Sequence, residues 1–172
     1  MRRGVEDFRG AGRLLQSLPY GRNASPGHPL CVLSEGRGTC STKHALLARL
    51  AVEQDQPIHL ALGTYEMCEA NTPGVGAVLE QYDLPFVLEA HCYVTFGSHR
   101  IDVTRAVDTP GEPISRFLHE ERITPDQIGA YKAALHQQML RTWVDSNPEL
   151  TSGHGFEEIW SIREACIAAL GE

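Results

Sequence analysis

Several features of common protein classes are missing from this sequence of 172 residues. It has no apolar run long enough to cross a bilayer, so we expect no membrane partner. The basic residues near its start precede no apolar stretch of signal-peptide length, which favours a cytoplasmic protein over a secreted one. Internal repeats and low-complexity tracts are also lacking. We therefore expect a single domain over residues 1–172.

Positive charge is scarce relative to negative charge. The chain has 15 Lys and Arg against 22 Asp and Glu, and its formal net charge is −7. Neutralising a phosphate backbone requires a clustered basic face, whereas the basic residues here are scattered, so we expect no nucleic-acid partner. The composition, 42% hydrophobic and 22% charged, is typical of a globular protein and leaves the oligomeric state open.

The cysteines do not form a disulfide framework. Five are present, at positions 31, 40, 68, 92 and 166, an odd number without regular spacing. This pattern favours reduced thiols, most of them inert and buried, with at most one or two that are chemically special. Cysteine is also common as a small core residue, so any special thiol needs further support.

One cysteine stands at the start of a predicted helix, in the stretch GRGTCSTKHALLARLA at positions 36–51. Four small or turn-prone residues precede Cys40, and an amphipathic helical pattern follows it. The positive end of a helix dipole stabilises a thiolate, which is the nucleophilic form of cysteine. Cys40 is therefore a candidate nucleophile. The apolar residues available for a core are Leu46, Leu47, Leu50 and Ala51.

A base and an orienting acid for this thiol are found in a predicted hairpin. LEAHCYVTF and HRIDVTR are rich in β-branched and aromatic residues and are separated by Gly97 and Ser98. His91 lies in the first of these strands and Asp102 in the second, so they are predicted to be cross-strand neighbours. A polar residue between two apolar ones on a strand needs a partner, and His91 is the natural partner of Asp102.

The element pattern predicts an α+β fold with a mainly antiparallel sheet, on which the Cys40 helix packs. The core is expected over about 30–108 and a helical C-terminal part over about 120–171. Further predicted elements are a first helix at about 5–18, a strand at 57–67, a short helix capped by Thr72 with Pro73 at its first position, a helix opening on Thr124 and Pro125, and a last helix closing on Gly171.

A cysteine opening a helix, then a histidine on a strand and an aspartate on the next strand, resembles the transglutaminase-like branch of the papain-like cysteine fold. The segments that carry the resemblance lie between Gly36 and Thr104. The resemblance implies a papain-like core in which Cys40 is the nucleophile, His91 the base and Asp102 the orienting carboxylate. It implies an upstream side chain in the oxyanion hole, for which Asn23 is one candidate.

Ser41 follows Cys40 directly, at the place where cross-linking transglutaminases usually have Trp. We therefore expect a cysteine hydrolase or acyltransferase, closer to a peptidase than to a cross-linking enzyme, that acts on an amide or ester carbonyl through a thioester. Its substrate would be a peptide, an amide or a small molecule, and the mechanism needs no cofactor. The alternative is a non-catalytic binding or scaffold domain of the same fold.

Five further residues are candidates for contacting the substrate: Thr39, His44, Asn71, Glu89 and Tyr93. Ordinary structural roles compete for each of them, such as a cap or turn for Asn71 and a solvated position for Glu89. A zinc site formed by Cys40, His44, His91 and Cys92 is a further alternative. Strand alternation argues against it, because His91 and Cys92 should point to opposite faces, and we expect no metal.

Overall fold

The structure is a computed structural model that describes Val5 and residues 7–170. Within these residues it is an α+β fold with a four-stranded antiparallel sheet, which confirms the predicted class. None of its described helices combines the length and apolar character needed to span a membrane. The α-helices are α1 (Phe8–Ser17), α2 (Cys31–Glu35), α3 (Cys40–Glu53), α4 (Gly76–Gln81), α5 (Ala130–Ser146) and α6 (Phe156–Ala169), and a 3₁₀ helix covers Pro125–Ile128. The strands are β1 (Ile58–Met67), β2 (Val87–Phe96), β3 (His99–Ile101) and β4 (His119–Ile123).

The sheet has the strand order β3-β2-β1-β4. The predicted hairpin is its β2–β3 pair, in which Val94 is opposite Ile101 and Phe96 is opposite His99. Gly97 lies in the turn with a φ of 57°, a backbone conformation that glycine adopts without strain. However, β3 ends at Ile101, so Asp102 lies just beyond the strand in which it was predicted.

The helix that begins at Cys40 forms as the sequence predicts, because its start is capped twice. The Thr39 side chain accepts a hydrogen bond from the N–H of Thr42, and the Thr42 hydroxyl accepts one from the N–H of Thr39. The Thr42 hydroxyl also lies 2.8 Å from the Oδ1 of Asn23. These bonds fix the point at which the loop turns into α3, and therefore the position of Cys40.

Some predicted boundaries are wrong, and the clearest case is α4. Thr72 and Pro73 precede this helix rather than open it, because Gly74 has a φ of 105° and interrupts the helical path. The N–H groups of Gly74 and Gly76 instead donate to the carboxylate of Glu69, at 2.9 and 2.6 Å. The predicted end of the last helix, at position 171, lies outside the described residues.

The described chain forms two compact units. The first contains residues up to Gly63, then His91–Thr109 and Glu120–Tyr131, and it includes α1, α2 and α3. The second contains Thr64–Ala90, Pro110–His119 and the chain from Lys132 onward. The second unit has a large hydrophobic core, in which Leu79, Leu88, Leu140, Val144, Ile159 and Ile162 are buried.

Candidate active site

Cys40, His91 and Asp102 all belong to the first unit. The Nε2 of His91 lies 2.6 Å from the Oδ2 of Asp102. His91 also makes a side-chain hydrogen bond with Cys40, and since Nε2 is engaged by Asp102, Nδ1 is the ring atom available to the thiol. The three side chains therefore stand in the order sulfur, imidazole, carboxylate.

The electrostatics of Cys40, His91 and Asp102, here called the trio, favour an imidazolium ion at His91. Burial disfavours the charge of His91, but the carboxylate of Asp102 and the sulfur of Cys40 more than offset this and raise the pKa of His91 to about 10. For Asp102, burial alone would raise the pKa of the carboxyl, yet the charge of His91 and its hydrogen bond hold that pKa well below its usual range. His91 and Asp102 are therefore an ion pair at neutral pH.

The sulfur and the imidazole are enclosed, while the carboxylate is partly open to solvent. Cys40 and His91 are each 7% exposed, whereas the side chain of Asp102 is 42% exposed. Low exposure strengthens the interaction between sulfur and ring, since little water competes for either group. Little of Cys40 is therefore in contact with solvent.

The stability that this ion pair supplies should depend on pH. The contribution of His91 is complete below its ordinary pKa of 6.5 and is lost as the pH rises through about 10. The contribution of Asp102 is present above its ordinary pKa of 3.8 and is lost only at still lower pH. We expect Asp102→Asn to lower the melting temperature most between about pH 5 and pH 6.5, and progressively less toward pH 10.

Thermal unfolding followed by circular dichroism across this pH range measures the effect. Asp126→Asn is a matched control, because Asp126 is 81% exposed and its partner Arg49 lies at the surface. A difference between wild type and Asp102→Asn that stays constant from pH 5 to 10 would contradict the ion pair.

His44 and Thr39, two predicted substrate contacts, are engaged within the protein. His44 has no exposed surface, its Nδ1 lies 2.8 Å from the carbonyl oxygen of Cys40, and its Nε2 accepts the N–H of Val103 at 2.8 Å. Burial lowers the pKa of His44 to about 4, so the ring is neutral. Thr39 is the N-cap of α3.

Tyr93, the third predicted contact of the first unit, lies on the same face of β2 as His91. The two rings are stacked with centroids 6.3 Å apart. The Tyr93 hydroxyl donates to the carboxylate of Glu120, which also accepts two N–H groups of Arg100. Neither Glu120 nor Arg100 stood out in the sequence as a functional residue. Arg100 lies on β3, the hairpin partner of β2, whereas Glu120 lies on β4, which the chain does not connect directly to β2.

Asn71 and Glu89, the other two predicted contacts, belong to the second unit. The Asn71 side chain accepts the N–H of Cys68 and donates to the carbonyl oxygen of Glu66, which is a loop-forming arrangement. Glu89 is buried and accepts two hydrogen bonds from Arg163. Both side chains thus have partners within the second unit.

Asn23 also has defined partners. Its Nδ2 donates to the carboxylate of Glu35 and to the carbonyl oxygen of Arg37, at 3.2 and 3.0 Å, while its Oδ1 lies against the Thr42 hydroxyl. Both amide hydrogens are thereby used to hold the loop that leads into α3. In this arrangement Asn23 supports the loop rather than the oxyanion.

The described residues contain no group of three His, Cys, Asp or Glu side chains arranged to hold a metal ion. This agrees with the contacts of the residues in the zinc alternative. Both ring nitrogens of His44 face backbone groups, and the Nε2 of His91 faces Asp102. No donor set for zinc is therefore assembled around Cys40 in this part of the chain.

Comparison with protein families, with curated proteins and with solved structures found no match. A function for this chain is therefore inferred from the geometry of these side chains.

Proposed function

We propose that this protein is a cysteine enzyme with a transglutaminase-like, papain-like core, which acts on an amide or ester carbonyl through a thioester at Cys40. The observation that carries the proposal is the contact of His91 with Asp102 on one side and with Cys40 on the other. A thiol, an imidazole and an orienting carboxylate in this order are the parts of a nucleophilic cysteine site. The position of Cys40 at the start of α3 adds the positive end of a helix dipole.

The chemistry follows from these positions. The thiolate of Cys40 attacks the carbonyl carbon, and the negative charge that develops on the oxygen lies near the positive end of α3. His91 donates the proton on its Nδ1 to the leaving amine or alcohol, whose bond to the carbonyl carbon breaks, and a thioester remains. Water then attacks the thioester, His91 takes one of its protons, and the acid is released as the thiolate re-forms.

Hydrolysis is favoured over cross-linking. Ser41 stands where cross-linking transglutaminases usually have Trp, and Cys40 is only 7% exposed. A protein-bound amine would have to bring a bulky backbone to this enclosed sulfur, whereas water needs no such space. The substrate class is thus an acyl compound that presents an accessible amide or ester.

The proposal predicts that alkylation is faster at Cys40 than at Cys68, although Cys40 is the less exposed of the two. Cys68 is the one cysteine of the five that is not buried, so a reagent that follows exposure labels Cys68 first. A thiolate stabilised by His91 reverses this order. At pH 6 we expect iodoacetamide to modify Cys40 about 10- to 100-fold faster than Cys68, because an ordinary thiol is less than about 1% ionised at that pH.

Peptide mapping by mass spectrometry at several reaction times measures the two rates. Cys40→Ala should abolish the fast reaction, while the matched variant Cys68→Ala should leave it unchanged. Faster labelling of Cys68, or equal rates, would favour the alternative of a non-catalytic binding or scaffold domain.

A further inference from the structure

The carboxylate that orients His91 lies in a segment without regular structure. β3 ends at Ile101, and the residues from Asp102 to Thr104 form neither helix nor strand. An isolated segment of this kind has many accessible conformations, so the distance between Asp102 and His91 must be fixed by other contacts. The N–H of Thr104 donates to the Oδ1 of Asp102 at 2.8 Å, which orients the carboxylate within the segment but does not anchor the segment itself.

Two consecutive residues of α3 supply the anchors. The Nε2 of His44 accepts the N–H of Val103 at 2.8 Å. The ammonium group of Lys43 donates to the carbonyl oxygen of Thr104 at 2.7 Å and to that of Leu18 at 2.6 Å. His44 thus binds a backbone donor of the segment, and Lys43 binds a backbone acceptor.

Both anchors are buried completely. Lys43 and His44 have 0% relative exposure, which is unusual for a lysine. An ammonium group without water is costly unless protein oxygens replace the water, and here two carbonyl oxygens do so. Burial lowers the pKa of Lys43 to about 8, although the nearby Asp102 and Cys40 favour its positive charge, so the ammonium form prevails at neutral pH.

The contacts of His44 define its protonation. Its Nε2 receives an N–H from Val103, so it cannot itself carry a proton, and its Nδ1 must then donate to the carbonyl oxygen of Cys40. Only the neutral ring with hydrogen on Nδ1 satisfies both contacts. The ring therefore connects the backbone of the nucleophile to the backbone beside the orienting acid.

We propose that Lys43 and His44 form a clamp, by which the helix that carries the nucleophile also holds Asp102 in place against His91. The two are positioning residues, since neither acts on the substrate itself. The importance of this clamp for catalysis rests on the proposed function. The clamp itself can be measured without any substrate.

The first test needs no variant. The ¹⁵N chemical shifts of the His44 ring in the wild-type protein report its tautomer. We expect the neutral form with hydrogen on Nδ1 throughout the range from pH 5 to 9. A ring that carries hydrogen on Nε2, or that titrates within this range, would overturn the clamp even if Cys40 proves to be the nucleophile.

The second test separates positioning from packing with a pair of variants. In His44→Gln the longer amide can still place an oxygen near the N–H of Val103, whereas in His44→Asn the shorter amide reaches only the Cys40 carbonyl oxygen. We expect the pKa of His91, followed by NMR, to stay raised in His44→Gln. In His44→Asn it should fall toward 6.5, its ordinary value, and alkylation of Cys40 at pH 6 should slow about tenfold.

His28→Asn is the matched control, because His28 is exposed and should leave the titration of His91 unchanged. Equal His91 titration curves in folded His44→Gln and His44→Asn would overturn the clamp. If neither variant folds, the tautomer measurement decides. A His91 titration that responds as expected while Cys40 shows no selective alkylation would support the clamp and count against the proposed function.

Discussion

His91→Gln is expected to slow hydrolysis of the acyl-enzyme by about 1,000-fold, the middle of the range for removing a general acid–base. With p-nitrophenyl acetate the leaving group departs without a proton donor, so Cys40 can still be acetylated by its residual thiolate. Attack by water on the thioester does need His91 to take a proton. The variant should therefore accumulate acetyl groups on Cys40 while steady-state release of acetate nearly stops.

Stopped-flow release of p-nitrophenolate and intact mass spectrometry measure the two steps separately. His28→Gln applies the same substitution to an exposed histidine and should behave as wild type. A steady-state rate within about threefold of wild type in His91→Gln would rule out His91 as the base, since general acid–base groups contribute at least about 100-fold. Absence of acetylation even in the wild type, with Cys40 unreactive, would instead count against the nucleophile.

Arg163→Met is expected to have the largest effect on stability, a loss of about 3–5 kcal/mol in the free energy of unfolding. Arg163 donates from Nε and from a terminal nitrogen to the two oxygens of Glu89, at 2.5 and 2.7 Å. The two side chains are 12% and 7% exposed. Although burial alone would raise it, the pKa of Glu89 falls to about 2 because of Arg163, so the carboxylate is charged. Removing Arg163 would leave that charge buried without a partner.

The double variant Glu89→Leu with Arg163→Met supplies the contrast. Replacing both charges by apolar groups avoids the unpaired carboxylate, so we expect it to recover most of the loss, to within about 2 kcal/mol of wild type. Arg49→Met is the control for a surface pair and should cost less than about 1 kcal/mol. Urea unfolding curves measure all four proteins. A loss below 1 kcal/mol in Arg163→Met would show that the pair is not closed to water.

Local sequence patterns were sufficient to predict the helix and the hairpin that carry the trio. The start of α3 could be predicted because turn residues and a cap precede a helical pattern at Cys40, and the β2–β3 pair because two strand-like runs flank Gly97 and Ser98. These signals depend on residues close in sequence. For the same reason, the approach of His91 to Asp102 could be predicted once the hairpin was assumed.

Other features depend on contacts between residues far apart in the sequence, so they could not be predicted from local sequence patterns. β4 has the sequence HEERI, whose charged residues give no apolar alternation, as is common in strands at the edge of a sheet. Asp102 leaves the strand because its side chain accepts a nearby N–H, which competes with ladder bonds. The burial of Lys43 requires carbonyl oxygens 25 and 61 positions away along the chain.

The enclosure of the Cys40 sulfur has a consequence for reagent size. Because only 7% of Cys40 is exposed, we expect a molecule that reacts with the sulfur to be slender at its reactive end. We therefore expect an unbranched acyl chain to react faster than one branched next to the carbonyl. The same restriction separates small electrophiles such as haloacetamides from bulky maleimides. If Cys40 is the proposed nucleophile, its low exposure would protect the thiolate from large oxidants and electrophiles without any change in its nucleophilicity.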